Sequence, residues 1–482
     1  MRTLRNERTR MMAACAIAVL GVGGAATPSL AQQVVIEETH SQISPERRAE
    51  HVASFDYVWQ SILDHQWDPE FDRAAWDTER ARLRPRVEAA WTDWEARGAI
   101  MELIDSLGKS HFGIIPSEAY AVLTPGEDES DDATGTGRDD SGKDAGGDSE
   151  AGSKDEAKPR EAHGGPGDSG LTVRYRGGEL LVVDVREGSG ADDAGIERGW
   201  VIERMGRLDA EVLIDAAREG AGVERMETIC AIGAERRLAG DAGTTIDVEF
   251  RTPGGEEKTV TIERGALPGE KVRFGNLPDE RVYQVTKTLG GGVGYYALNI
   301  FLDPPSVMRT FEAFIRGHLD APGLVIDMRG NHGGIITMSM GFGGWLVDKP
   351  NIYLGTLTAA NTTLKLVLNP RDVTFEGPVA VLIDEESISN AELLAAGLKD
   401  IGRARVFGHR SAGLLLPSVV ELLPNGDGFQ YAFANYASAN GESPEGVGVE
   451  PDVEIVETPE TLAGGRDPVL EAALEWIAGE HH

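Results

Sequence analysis

The chain has 482 residues, too many for one ordinary hydrophobic core, so two or three domains are expected. Its 80 acidic residues against 46 basic ones give a formal charge of −34, a surface that repels nucleic acid and anionic membranes and argues against both as partners. Of its 2 cysteines, Cys15 falls in an amino-terminal leader and Cys230 stands alone after it, which leaves no pair for an internal disulfide.

Arg2, Arg5, Arg8 and Arg10 precede an apolar run over 11–26, which closes on Pro28, Ser29, Leu30 and Ala31. A basic start, a short apolar stretch and a small-x-Ala end predict a cleavable signal peptide ending at Ala31, and hence a periplasmic or secreted protein. That run is short for a bilayer-spanning helix, which needs about 20 apolar residues, and no later stretch approaches that length, so no integral membrane segment is expected. Cys230 is read as a small core residue.

Helical spacing fills 45–106 within a predicted amino-terminal helical domain over 45–123. Phe55, Val58, Trp59 and Ile62 share one face. Val87, Ala90, Trp91 and Trp94 begin another that continues through Ile100, Leu103, Ile104 and Leu107, and these aromatic stripes are read as core. Gly108 is a natural helix stop, and Ser110 and His111 follow it. A lone histidine after a helix is normally structural. The stretch 126–168 holds no Val, Ile, Leu, Met or aromatic residue, and carries 14 acidic against 5 basic residues. It is expected to be a disordered acidic linker.

Short apolar alternations separated by turns run through 169–266, including 180–185, 245–250 and 259–262, and predict a small β domain. A core over 267–478 follows, in which alternating strands and helices fit a parallel α/β sheet. Its signals are a strand from Gly294, a helix near 305–318, a buried strand over 324–328 and a glycine-bearing turn Arg329-Gly330-Asn331-His332-Gly333-Gly334. Val379 to Ile383 then read as a strand buried on both faces, 384–388 as a polar turn, and the residues after Ser389 as a helix opened by an S-x-x-E start. A further strand over 404–408 and the turn 444–452 complete the pattern.

The segment S-I-S-N-A-E followed by L-L-A-A-G-L-K-D resembles the active-site helix of the tail-specific, or carboxyl-terminal processing, serine proteases and of the tricorn core. The likeness extends to the 329–334 turn, to 444–452, and to F-D-Y-V-W-Q-S-I in the helical domain. Residues 180–185 and the G-S-G-A-D-D-A-G-I-E-R-G-W stretch resemble the centre of a PDZ domain. The resemblance implies a crotonase- and Clp-protease-like core and a serine endopeptidase working through an acyl-enzyme. Ser389 would be the nucleophile, and Gly333 or Gly334 with Asn390 the oxyanion donors. Gly170, Leu171 and Thr172 would form a loop holding the terminus of a protein or peptide substrate.

Two chemistries occur in that family. The lysine that tail-specific enzymes carry twenty-five residues after the serine falls here on Leu414, which cannot take a proton. Lys399 lies ten residues along the helix, about 15 Å away at about 1.5 Å per residue, too far to serve. The tricorn-like branch instead uses a histidine, the serine before it and a glutamate, matched here by His111, Ser110 and Glu445. The alternative is a catalytically silent protein that binds peptides or apolar ligands on the same fold. No metal or organic cofactor is expected, since no cluster has ligand spacing, and the sequence does not give the oligomeric state.

Overall fold

The computed structural model describes residues 42–121, 165–220 and 225–480. The predicted leader and all but the end of the acidic tract lie outside the described residues.

The centre is a mixed α/β unit with a six-stranded sheet ordered Gln284–Thr288, Gly294–Leu298, Leu324–Asp327, Val379–Ile383, Arg405–Gly408, Val453–Glu454. The first pair is antiparallel and every later neighbour parallel. Alternation decides the layers, because successive strand residues face opposite sides. Val379, Val381 and Ile383 point into a cluster with Phe311, Phe342 and Leu393, from the helices Pro304–Gly317, Ile336–Gly344 and Asn390–Asp400. Ala380 and Leu382 point the other way, onto Val469, Ala473 and Ile477 of the helix Pro468–Gly479. A strand covered on both faces has to be apolar throughout, which is what its sequence shows.

Three helices precede this core: Pro45–Asp64, Arg73–Ala89 and Asp93–Asp105, started by the side chains of Ser44, Asp72 and Thr92. Phe55, Val58, Ile62, Leu83, Ile100 and Leu103 bury one another, together with Phe429 and Tyr431 of the core. The helical segment therefore shares its core with the Ser418–Leu422 and Gly428–Ala432 strands. Trp91 and Trp94, expected in the core, are 54% and 46% exposed. Ala90 leaves the helix and Thr92 starts a new one, so the helical phase carrying the stripe is broken between them.

The β-rich unit has strands Leu171–Arg176, Glu179–Val185, Val201–Met205, Thr245–Arg251 and Glu257–Glu263 in that sheet order. Two helices, Ala210–Gly220 and Met226–Leu238, lie between its strands where the sequence reading named only strands and turns. Cys230 is fully buried here, and burial pushes its thiol up to about 12, as an inert core residue. The acidic tract was expected to stay unstructured through Asp168. Instead Pro166–Asp168 pairs with Gly240–Asp241 and Gly265–Ala266. Backbone pairing needs no apolar side chain, and Gly167 permits it because a Cβ there would lie 2.5 Å from the Gly265 carbonyl oxygen.

Immediately after His111, Gly113–Ile115 pairs antiparallel with Gly428–Ala432, so the chain leaving the helices is stitched to the core. Behind that stitch, Arg97 donates to both carboxylate oxygens of the fully buried Asp427, at 2.9 and 2.7 Å. Removing one partner of such a pair strands a buried charge. Arg97→Ala is therefore expected to lower the free energy of urea unfolding by about 3–5 kcal/mol. A loss below about 1 kcal/mol, the range of an exposed pair, would contradict that account.

Candidate active site

The Val379–Ile383 strand ends in a turn whose polar side chains are almost all inside. Asp384, Glu385, Glu386 and Ser387 are each buried, and buried carboxylates require partners. Asp384 accepts the Gly330 and Glu386 N–H groups at 2.9 and 3.1 Å. After the turn, Ser389 caps the Asn390–Asp400 helix with φ 57° and ψ −112°. It is one of four non-glycine residues with positive φ among the described residues, and His111 is another. Such a conformation costs on the order of 1–3 kcal/mol and persists only where neighbours over-determine it.

The neighbour responsible is Glu392. Its fully buried carboxylate accepts the Ser389 N–H (2.9 Å), the Ser411 hydroxyl (2.6 Å) and the N–H groups of Gly413 (2.7 Å) and Leu414 (3.0 Å). Burial pushes its pKa up to about 7, against the pull of those donors. The Ser389 N–H also reaches the Leu414 carbonyl, at 3.0 Å. Leu414 itself, where one branch of the family would carry lysine, packs with Ile388 and Ala412. The Lys399 ammonium donates to the Glu450 carbonyl (2.6 Å) and pairs with Asp452 (3.3 Å), away from Ser389.

Gly333 lies directly against the serine: a Cβ there would sit 2.7 Å from Ser389 Cβ and 3.0 Å from Asn390 N. Its N–H, however, is donated to Asn331 Oδ1 at 2.9 Å, so Gly333 contributes close approach rather than a donor. Gly334 and Asn390 keep their backbone N–H groups free of protein acceptors among the described residues. The Asn390 side chain is held by the Ile335 carbonyl and by the Ser339 hydroxyl, at 3.0 and 2.7 Å. Asn331, not singled out from the sequence, also accepts the Ile388 N–H at 2.9 Å and so joins the glycine turn to the serine turn.

His111 Nδ1 lies 2.8 Å from the Ser110 hydroxyl, which donates at 2.8 Å to Glu445 Oε2. With that proton committed, the serine oxygen accepts from His111 Nδ1–H, leaving Nε2 as the basic atom. Glu445 also takes the Ser110 and Leu415 N–H groups, at 3.1 and 2.8 Å. Its pKa is raised by burial, which these donors oppose. The Leu416 nitrogen lies 3.5 Å from His111 Nδ1, which with the proton on Nδ1 is a packing contact and not a hydrogen bond. Three consecutive residues thus gather the predicted set: Leu414 touches Ser389, Leu415 touches Glu445 and Leu416 touches His111. Among the described residues no hydrogen bond joins Ser389 directly to the imidazole.

Gly170, Leu171 and Thr172 lie elsewhere, at the start of the first strand of the β-rich unit. Gly170 has φ +82°, its carbonyl accepts the Arg186 N–H (2.9 Å), and the Leu171 N–H reaches the Ser169 hydroxyl (3.3 Å). Further along that strand, Arg174 bonds Asp384 and Glu386 at 2.8 and 2.7 Å, and Arg176 bonds Glu385 at 2.5 Å. The sequence reading missed this contact. Its signal is there, two arginines on one face of a strand and three acids in a turn, but nothing local says that they meet.

Residues 292–455 match the profile described as Peptidase family S41. The chain is 25% identical over 281 residues to "Carboxyl-terminal-processing peptidase 3, chloroplastic" of Arabidopsis thaliana, covering 58% of this chain and 51% of that protein. It is 26% identical over 439 residues to "Putative tricorn protease homolog 2" of Streptomyces coelicolor, covering 88% of this chain and 32% of that one. The chain thus spans about half, or less, of these curated relatives. In fold it resembles the photosystem II D1 C-terminal processing protease, with a TM-score of 0.52 at 19% identity over 90% of this chain and 98% of that one.

Burial holds the His111 pKa down, to about 3. The imidazole therefore stays neutral in the folded protein while the unfolded chain takes up a proton near pH 6.5. Stability from this group is complete above that pH and is lost as pH falls from 6.5 towards 3. The ring proton resonances of His111 are expected to show no titration between pH 8 and about 5; a midpoint near the ordinary value of about 6.5 would contradict the burial.

Proposed function

We propose that the protein is an exported serine endopeptidase of the tricorn-like, serine-histidine kind, on the footing that residues 292–455 match the peptidase family S41 profile. The observation that carries the reading is the convergence on 414–416 of a strained serine and a histidine whose Nδ1 is tied through Ser110 to Glu445, with free N–H groups at Asn390, next to the serine, and at Gly334, next to the glycine that packs on it. In it, the Ser389 hydroxyl attacks the scissile carbonyl carbon and passes its proton to His111 Nε2. The C=O pair moves onto oxygen, and the N–H groups of Gly334 and Asn390 stabilise the anion. The imidazolium is steadied by Ser110 and Glu445, then delivers its proton to the leaving amine as the C–N bond breaks. Water repeats the sequence on the acyl-enzyme, with His111 again as base.

The β-rich unit is read as a PDZ-like domain that takes polypeptide at the edge of its first strand, near Gly170, Leu171 and Thr172. The substrate class is protein or peptide. Arg174 and Arg176 of that strand bond to the turn before Ser389, which supports a link between the strand edge and the nucleophile.

A fluorophosphonate probe tests the assignment in the full chain. Labelling is expected in the wild type and is lost in Ser389→Ala. It slows by about 10²–10⁴-fold in His111→Ala, the usual worth of a general base. Smaller losses are expected in Ser110→Ala and Glu445→Gln, and Leu414→Lys is not needed for activity. A folded wild type that neither labels nor digests casein would instead favour the silent binding protein.

A further inference from the structure

A cavity of about 210 Å3 lies where the Met226–Leu238 helix meets the core, lined by Ile232, Glu235, Glu280, Ile300, His332 and Glu386, with Arg236. Glu386 is 1% exposed; its Oε2 pairs with Arg174 at 2.7 Å, but its Oε1 has no partner. His332 Nε2 is likewise buried without a partner. Glu280 makes no ion pair or side-chain hydrogen bond among the described residues, and burial raises its pKa to about 7. Burial also holds the carboxyls of Glu235 and Glu386 above their ordinary range. A buried carboxylate oxygen with nothing to accept from is costly, and a donor from outside removes that cost; three carboxyls against the single Arg236 in the lining favour a donor that carries positive charge.

The position narrows the choice of occupant. His332 precedes Gly333, which packs on Ser389, and Glu386 stands three residues before Ser389 on the same turn. The volume is below the roughly 300–1,000 Å3 of pockets that hold whole small ligands, and suits one long side chain. Among the described residues no group of three or more His, Cys, Asp or Glu could hold a metal ion, and the place of the cavity beside the Ser389 turn favours a side chain of bound polypeptide.

We propose that this cavity is a specificity subsite that takes the guanidinium or ammonium group of an arginine or lysine in the polypeptide bound at Ser389. The apolar Ile232 and Ile300 walls flank the methylene stem, and Glu386 Oε1 with Glu280 receives the charged end. The assignment rests on the endopeptidase reading.

The test uses amino-terminally acetylated peptides in which a single arginine, or its neutral isostere citrulline, is moved through successive positions around the scissile bond. Wild-type protein is expected to prefer arginine at one position by about tenfold or more in kcat/KM, as for a site whose polar groups are left unpaired by the wrong substrate. Glu386→Gln and Glu280→Gln should each cut that ratio several-fold. Glu280→Gln does this without touching the Arg174 ion pairs, which separates the subsite from a disturbed domain contact. Fluorophosphonate labelling and casein digestion in the same preparations report the peptidase reading independently. Protein that labels and digests casein, yet shows a ratio near one at every position, overturns the subsite alone, as does a ratio unchanged in both variants. A preference that appears only with a free amino terminus overturns the side-chain assignment. Protein that neither labels nor digests casein overturns the peptidase reading and the subsite with it.

Discussion

The buried carboxylate of Glu392 is the constraint on which the candidate site depends. It has four protein donors, and together they tie the first turn of one helix to 411–414 of the strand-like segment beside it. Without those bonds nothing would hold Ser389 in a backbone conformation that L-residues disfavour, or keep Leu414 against it. The same segment continues through Leu415 and Leu416 to Glu445 and His111. One acid therefore sets both the geometry of the hydroxyl and, through two further residues, the place where the imidazole arrives. Ionised, it has an acceptor for every donor; protonated, it would have to turn one of them away.

A second layer of buried charge joins the β-rich unit to the same turn. Arg174 and Arg176 meet Asp384, Glu385 and Glu386 with almost no exposure on either side. Pairs of this kind add little net stability, because desolvation offsets most of the attraction. They do fix position, since any displacement leaves a bare charge in the interior. Asp384 in turn holds Gly330, and Asn331 links the glycine turn to Ile388. The donor N–H groups and the hydroxyl are thus referenced to one rigid frame rather than to separate loops.

Much of this was legible in the sequence because it is local. An apolar pentapeptide, a polar turn and an S-x-x-E start specify strand, turn and helix regardless of their surroundings, and so place Ser389. The spacing of Ser110, His111 and Glu445 was readable only through resemblance, since 335 positions separate Ser110 from Glu445 and no periodicity spans that gap. What failed was either a phase break or a tertiary choice. Trp91 and Trp94 were assigned to the core by continuing a helix that in fact stops at Ala89. Pro166–Asp168 was assigned to disorder by composition, which says nothing of backbone pairing available from Gly240 and Gly265. The adjacent Gly333 and Gly334 look equivalent in sequence, and only the Asn331 side chain distinguishes which of them keeps a free donor.

The central claim is geometric: the hydroxyl of Ser389, the N–H groups of Gly334 and Asn390, and Nε2 of His111 surround one reacting carbon. A crystal structure of the protein with a peptide boronate on Ser389 measures this directly. The account requires one boronate oxygen about 2.7–3.1 Å from both N–H groups and His111 Nε2 bonded to the other. A tetrahedral adduct whose oxygens point away from Gly334 and Asn390, or one that leaves the imidazole turned from the boron, would contradict it.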